Sequence, residues 1–282
     1  VFSKILIPLD GSALALRILN PVEHLLRATP TEVTLLRVIA PRNEVEHDQL
    51  PAAELDLKAQ LTEVQDAIGP GTKVHTVVVR GDPADQVVRY AKDTGQDLVA
   101  MSTHGRTGVD RVVRGSVAER VLRSCEVPVL LCSPLAFASR HAARFATILV
   151  PLDGSERAER VLPIVERVAT AHDAQVKLLR VEPLVVSELP SPILAGSLWD
   201  PQPLEESLKP VIERFERAGL KADACAAYGV VAAEILRASE GGDLLAMTTH
   251  GRSGLSRWWF GSVAETVLRQ ARCPLLVVRT PS

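Results

Sequence analysis

The 282-residue chain is poor in cysteine: Cys125, Cys132, Cys225 and Cys273 are the only four, and they form neither a CxxC pair nor a regular framework. Buried, reduced thiols are expected, as in a cytoplasmic protein, where disulfides rarely persist. A surplus of charge is also missing, since 32 Lys and Arg face 34 Asp and Glu for a net charge of −2. Proteins that hold nucleic acid electrostatically show a basic surplus, so no nucleic-acid partner is expected. No run of eighteen or more apolar residues occurs, which excludes a membrane-spanning helix and leaves no membrane partner. The opening stretch from Val1 to Ile7 reads directly as a strand and lacks the regions of a signal peptide. Disorder is excluded as well, because 46% apolar and 23% charged residues is the composition of a folded globular protein. The length suits roughly two domains of ordinary size.

Several catalytic signatures are absent. The chain has no GxxxxGKS/T loop, no GxSxG elbow, no HExxH helix, and no GxGxxG after the first strand. His104 and His250 have no companion nucleophile or metal-ligand partner at useful spacing, and read as turn-bracing residues. Binding is expected rather than catalysis, with no catalytic residue and no protein-held metal.

What the chain does contain is a duplication. Ile5-Leu6-Ile7-Pro8-Leu9-Asp10-Gly11-Ser12 returns as Ile148-Leu149-Val150-Pro151-Leu152-Asp153-Gly154-Ser155. Met101-Ser102-Thr103-His104-Gly105-Arg106 returns as Met247-Thr248-Thr249-His250-Gly251-Arg252, and Gly115-Ser116-Val117-Ala118-Glu119 as Gly261-Ser262-Val263-Ala264-Glu265. The offset drifts only from 143 to 146, so two units of about 140 residues stand in tandem. The expected boundaries are 1–133 for the first domain, 134–146 for a linker and 147–282 for the second.

Within each unit, apolar runs alternate with amphipathic stretches. Strands are predicted at 4–9, 33–39, 73–79, 97–102 and 128–132, and at 147–152, 176–181, 222–228, 243–248 and 275–279. Helical patterns in the first unit lie near 13–28, 52–68, 83–94 and 116–124. Continuous apolar strands need helices on both faces, and alternating strands and helices make right-handed parallel crossovers. The fold class is therefore α/β: two tandem five-stranded, doubly wound, Rossmann-like parallel sheets with strand order 3-2-1-4-5. Prolines at 183, 190, 192, 201 and 203 mark a long loop, with a shorter counterpart near Pro41 to Pro51.

In such a sheet, ligands bind beyond the carboxyl ends of the strands where the winding reverses. The Asp10 and Asp153 loops follow the first strand of each unit, and the Ser102 and Thr248 loops follow the fourth. Each aspartate admits two readings: a ligand to a ribose, base or metal, or a bond to backbone N–H groups at the following helix start. The segment from Gly105 to Ser116, with Arg106, Arg111 and Arg114 inside it, admits two as well. Glycines and a helix start suit a phosphate, whereas Ser116 with Glu119, like Ser262 with Glu265, spells a capping box. In the second unit Arg252 and Arg257 remain, and Trp258-Trp259-Phe260 replaces Val112-Val113-Arg114, giving an apolar patch suited to a contact or to burial.

These residues resemble the universal stress protein family in its tandem form. The resemblance rests on the Pro-x-Asp-x-Ser start, the Gly-2x-Gly-9x-Gly-Ser/Thr signature, and the final Val-Pro-Val-Leu or Cys-Pro-Leu-Leu strand. It implies dimer-like pairing of the two units within the chain, a homodimer as a further partner, and adenine nucleotide as ligand: ATP, or ADP and AMP, with Mg²⁺ optional. Carried over residue by residue, base and ribose contacts fall on Pro8, Asp10, Val38 and Met101, and on Pro151, Asp153, Val181 and Met247. Phosphate contacts fall on Gly105 and Gly115-Ser116, and on Gly251 and Gly261-Ser262; Val117 and Val263 follow the last of them, and Arg106 and Arg252 are counted among the binding residues. The family's first glycine falls on Ser102 and Thr248, where an added side chain either crowds phosphates or supplies a hydroxyl. In the second unit Gly229-Val230-Val231 stands where the first has Gly81-Asp82-Pro83, so a shifted third helix is expected there. The rival reading is a nucleotide-free interaction module whose Gly-Ser loops are purely structural.

Overall fold

The computed structural model describes residues 1–28, 30–40, 54–60, 64–65, 72–103, 116–136, 144–183, 202–250 and 261–280. The first unit contributes strands β1 (Lys4–Pro8), β2 (Glu32–Ile39), β3 (Lys73–Arg80), β4 (Leu98–Ser102) and β5 (Val129–Cys132). Its helices are α1 (Ala13–Leu16), α2 (Leu19–Ala28), α3 (Pro83–Asp93) and α4 (Ser116–Ser124), with further helical turns at 54–60. The second unit contributes β6 (Thr147–Pro151), β7 (Gln175–Pro183), β8 (Ala222–Gly229), β9 (Leu244–His250) and β10 (Leu275–Thr280). Its helices are α5 (Glu156–Glu159), α6 (Leu162–His172), α7 (Gln202–Glu206), α8 (Lys209–Arg217), α9 (Val231–Ser239) and α10 (Ser262–Gln270).

Strand placement follows the apolar runs. Ile5, Leu6 and Ile7 of β1 and Leu98, Val99 and Ala100 of β4 have no accessible surface, as central strands covered on both faces must. The pattern over 13–28 predicts one helix, and the structure breaks it in two. Pro21 has no N–H to offer the Arg17 carbonyl, and in the second unit Pro163 has none for Glu159, so α1–α2 and α5–α6 part at matching places. The proline-rich stretch ends earlier than its last proline, because Pro203 sits in the first turn of α7, where a missing N–H costs nothing. The interior of that stretch, 184–201, and the Pro41 to Pro51 segment lie outside the described residues.

Within each unit the order is 3-2-1-4-5, and the two units join in one ten-stranded sheet, β3-β2-β1-β4-β5-β10-β9-β6-β7-β8. All pairings are parallel except the seam, where β5 and β10 run antiparallel with Leu275 opposite Leu131, Leu276 opposite Leu130 and Val277 opposite Val129. Each unit thus covers the other's edge strand, which removes an exposed apolar edge from both. On one face, Phe145, just before β6, is buried between His24 of α2 and His172 of α6, with ring centroids 5.5 and 5.2 Å away. Apolar layers run across both units on each face. The expected shift of the third helix does not occur: α9 starts after Gly229 and Val230 as α3 starts after Gly81 and Asp82, and both feed the same layer. Their difference lies in capping. Asp82 accepts from the amides of Ala84 and Asp85, whereas Val230 makes no side-chain cap bond and α9 is two residues shorter than α3.

Candidate functional site

The winding reverses between β1 and β4, and between β6 and β9. There the paired register is short: β1 meets β4 only at Ile5–Leu98 and Leu6–Val99, and β6 meets β9 only at Ile148–Leu244 and Leu149–Leu245. By contrast β1 keeps register with β2 along its whole length to Pro8–Leu36. The two strands of each short pair therefore part before Pro8 and Met101, or Pro151 and Met247, and a crevice opens at their carboxyl ends.

Two matching turns form one wall. Asp10 Oδ1 accepts from the Ser12 amide at 2.9 Å and hydroxyl at 2.7 Å, and Asp153 Oδ1 accepts from Ser155 at 2.9 and 2.6 Å. Ser12 and Ser155 are in turn the helix caps, their hydroxyls accepting from Ala15 and Ala158 at 3.1 Å. The serines thus satisfy the helix starts, and the aspartates hold the serines. Burial pushes the Asp153 carboxyl up, but the Ser155 hydroxyl and amide and the charge of Arg180 outweigh it and hold the group below the ordinary aspartate value.

The turns rest on two arginines that the sequence reading passed over. Arg37 and Arg180 lie at matching places in β2 and β7. Arg37 is 5% exposed, and its Nη1 donates to the Leu9 carbonyl at 3.1 Å, with Asp56 Oδ2 3.7 Å from Nη2. Arg180 approaches Gly154 as Arg37 approaches Gly11, and the buried Arg180 Nε has no partner among the described residues. A signal was present: Leu35-Leu36-Arg37-Val38 returns as Leu178-Leu179-Arg180-Val181, a charge inside an apolar strand repeated in both units.

The other wall is apolar. Met101 and Met247 are buried in the layer formed by α3, α4, α9 and α10, with Val38, Val117, Val181 and Val263 half-buried against it. These residues come from three separate stretches of each unit, the ends of β2 and β4 and the start of the last helix, and belong to one apolar layer. Strand alternation answers the question raised by Ser102 and Thr248. Met101 and Met247 belong to this layer while Ala100 and Ala246 belong to the opposite one, so the side chains of Ser102 and Thr248 point to that opposite face and not toward the valines. Ser102 is 9% exposed, and its hydroxyl has no partner among the described residues.

The last helix begins at Ser116 or Ser262. In the second unit Gly261, not Ser262, is the cap residue, and no side chain caps the helix, so the capping box that Ser262 and Glu265 spell is not formed. Glu265 pairs instead with Arg269 at 3.4 Å. Gly261 has an ordinary φ of −55°, and no described atom stands within 4 Å of where its Cβ would be, so local packing does not demand a glycine. Gly105, Arg106 and Gly115, with Gly251 and Arg252 and the Trp258-Trp259-Phe260 patch, lie outside the described residues, as do His104 and the side chain of His250.

Among the described residues, no helix is long and apolar enough to cross a membrane, and all four cysteines are free thiols. Burial pushes the Cys273 thiol up to about 12, and that of Cys132 higher still.

The chain matches the model of the universal stress protein family twice, over residues 2–133 and 144–279. A universal stress protein of Methanocaldococcus jannaschii is 32% identical over 139 residues, spanning 46% of this chain and 82% of the relative. One from Mycobacterium tuberculosis is 28% identical over 218 residues, spanning 75% and 70%. In fold alone, the chain is similar to the crystal structure of a universal stress protein from Archaeoglobus fulgidus, with a TM-score of 0.74 at 20% identity and 98% of each chain covered. The two matches fall on two copies of one strand order and one crevice, and the chain belongs to the universal stress protein family, in its tandem form.

Proposed function

We propose that each unit binds an adenine nucleotide, ATP or its products ADP and AMP, in the crevice between β1 and β4 or β6 and β9, and that this stress protein regulates by binding rather than by catalysis. The observation that carries the reading is the paired divergence of those strands, which opens the same crevice twice. One wall of each is half-buried valine and methionine, suited to the flat apolar face of a base. The other is the turn holding Asp10 or Asp153, suited to ribose hydroxyls. Phosphates would lie toward Gly105 and Gly115-Ser116, or Gly251 and Gly261-Ser262, where helix-start N–H groups favour negative charge. The absence of any described atom within 4 Å of a Cβ on Gly261 fits this role, since packing among the described residues leaves its missing side chain unexplained. No group of three His, Cys, Asp or Glu residues stands together among the described residues, so Mg²⁺ would arrive on the phosphates.

The test is the nucleotide content of protein purified without added ligand, followed by calorimetric titration with ATP, ADP and AMP. One or two equivalents, bound or titrated, supports the reading and counts the working units. Gly261→Val should abolish second-unit binding while leaving the melting curve nearly unchanged, because its Cβ meets no described atom within 4 Å. A protein that purifies without nucleotide and ignores millimolar ATP sinks the proposal, and the rival reading as a protein-interaction module then takes its place.

A further inference from the structure

Joining the two units uses up the edges of β5 and β10, so the sheet ends on β3 at one side and on β8 at the other. The ladder fixes which backbone groups of β8 point out. The Val176 amide donates to the Lys221 carbonyl, and Val176 stands opposite Ala222. Lys221, Asp223, Cys225 and Ala227 therefore turn their N–H and C=O groups inward to β7, and Ala222, Ala224 and Ala226 turn theirs outward. No described residue pairs with those outward groups. A bare edge of this kind is a template for another strand.

The two edges differ. β3 carries exposed Lys73, His75 and Arg80, and basic side chains on an edge oppose the addition of a strand. β8 has a single charge, Asp223, and no lysine, arginine or proline to guard it. The chain itself shows how such edges join. Two copies of one unit already meet through β5 and β10, antiparallel and over three residue pairs. The outward residues Ala222, Ala224 and Ala226 can supply as many pairs again.

Identical strands related by a two-fold axis pair antiparallel, and outward groups must face outward groups. The register that matches all three places Ala224 opposite itself and Ala222 opposite Ala226. It sets Asp223 opposite Cys225, so no like charges stand directly across the contact. We propose that the outer edge of β8 is a self-association surface, where a second copy of this chain pairs antiparallel through Ala222, Ala224 and Ala226 and doubles the sheet. The doubled sheet ends on β3 at both sides, where the basic residues stop further growth.

The experiment is sedimentation velocity on the full chain over about a thousandfold range of concentration, since so short a contact is reversible. The mass should rise from 30.5 kDa toward twice that value and stop there. Ala224→Pro removes an outward N–H, a change that an edge strand accepts, so the fold should persist and the protein should stay monomeric at every concentration. Thr76→Pro makes the same change at the matching outward place in β3 and should leave the dimer intact. Hydrogen exchange needs no variant: the amides of Ala222, Ala224 and Ala226 should exchange several-fold more slowly in concentrated than in dilute protein. A mass that never rises, a series that grows past the dimer, a dimer that survives Ala224→Pro or is lost equally in Thr76→Pro, or exchange at these amides that ignores concentration overturns the proposal. The edge lies outside both crevices, so dimerisation should survive Gly261→Val whether or not nucleotide binds.

Discussion

A Cβ on Gly11 would stand 2.2 Å from Nη2 of Arg37, so the turn that presents Asp10 exists only because the residue above the guanidinium has no side chain. The backbone adds a second reason, since Gly11 has φ +86° and Gly154 φ +79°, which L side chains rarely adopt. The two glycines differ in what lies under them. The whole Arg37 guanidinium crowds Gly11 and is pinned by the Leu9 carbonyl, whereas a single Arg180 nitrogen, at 2.3 Å, crowds Gly154 from a half-buried side chain.

Gly11→Ala should therefore destabilise the protein by about 2–4 kcal/mol, combining positive φ with overpacking. Gly154→Ala should cost about 1–2 kcal/mol, mostly from φ, because Arg180 can move aside. Urea denaturation measures both. Arg37→Met in the Gly11→Ala background should show a coupling above about 0.5 kcal/mol, because it removes the clashing atoms. Strict additivity would mean that the contact contributes nothing.

Acid stability should report on the seam between the units. Burial lowers the His172 pKa to about 4, helped by the positive charges of His24, the amino terminus and Arg144. Unfolded, the imidazole takes its proton near pH 6.5. Below that value the unfolded chain binds the extra proton, so this contribution is complete above about pH 6.5 and is lost as pH falls toward 4. The loss should be on the order of 2 kcal/mol. The lowered carboxyls of Asp82 and Asp153 act in a separate window, their stabilisation lost only as pH falls below the ordinary aspartate range. His172→Leu should flatten the slope of unfolding free energy between pH 4.5 and 6.5, while leaving any loss below pH 4 in place. An unchanged slope would show that His172 titrates normally.

The third helices offer a paired test of capping. Asp82 caps α3 and also accepts from Arg120 of α4 at 2.7 Å, while Val230, 74% exposed, heads α9 with no cap bond. Asp82→Ala should cost about 1 kcal/mol. Val230→Asp should gain about 0.5–1 kcal/mol, since Val230 already has the extended backbone of a cap residue. Thermal unfolding of the two variants should move in opposite directions.

Much of this protein was determined by its sequence alone. The duplication, the strand positions, the order within each unit and the two Asp-Gly-Ser turns follow from local patterns: apolar runs, helical periodicity and repeated short segments. A strand's burial is written into its own residues, so it can be read without knowing its neighbours. The family resemblance used the same local signals, which is why its valines and methionines could be named before the fold set them in one apolar layer.

Only the tertiary structure decided what depends on residues far apart in the chain. The union of ten strands in one sheet rests on β5 meeting β10, more than a hundred residues apart. Phe145 reads as a linker residue until α2 and α6 close around it. Arg37 reads as an oddity in an apolar strand until Gly11 is placed above it. The direction of the Ser102 side chain and the failure of Ser262 to cap its helix are settled in the same way. Each depends on which groups stand within a few ångströms once the chain is folded, and hydrogen bonding and close packing act at that range.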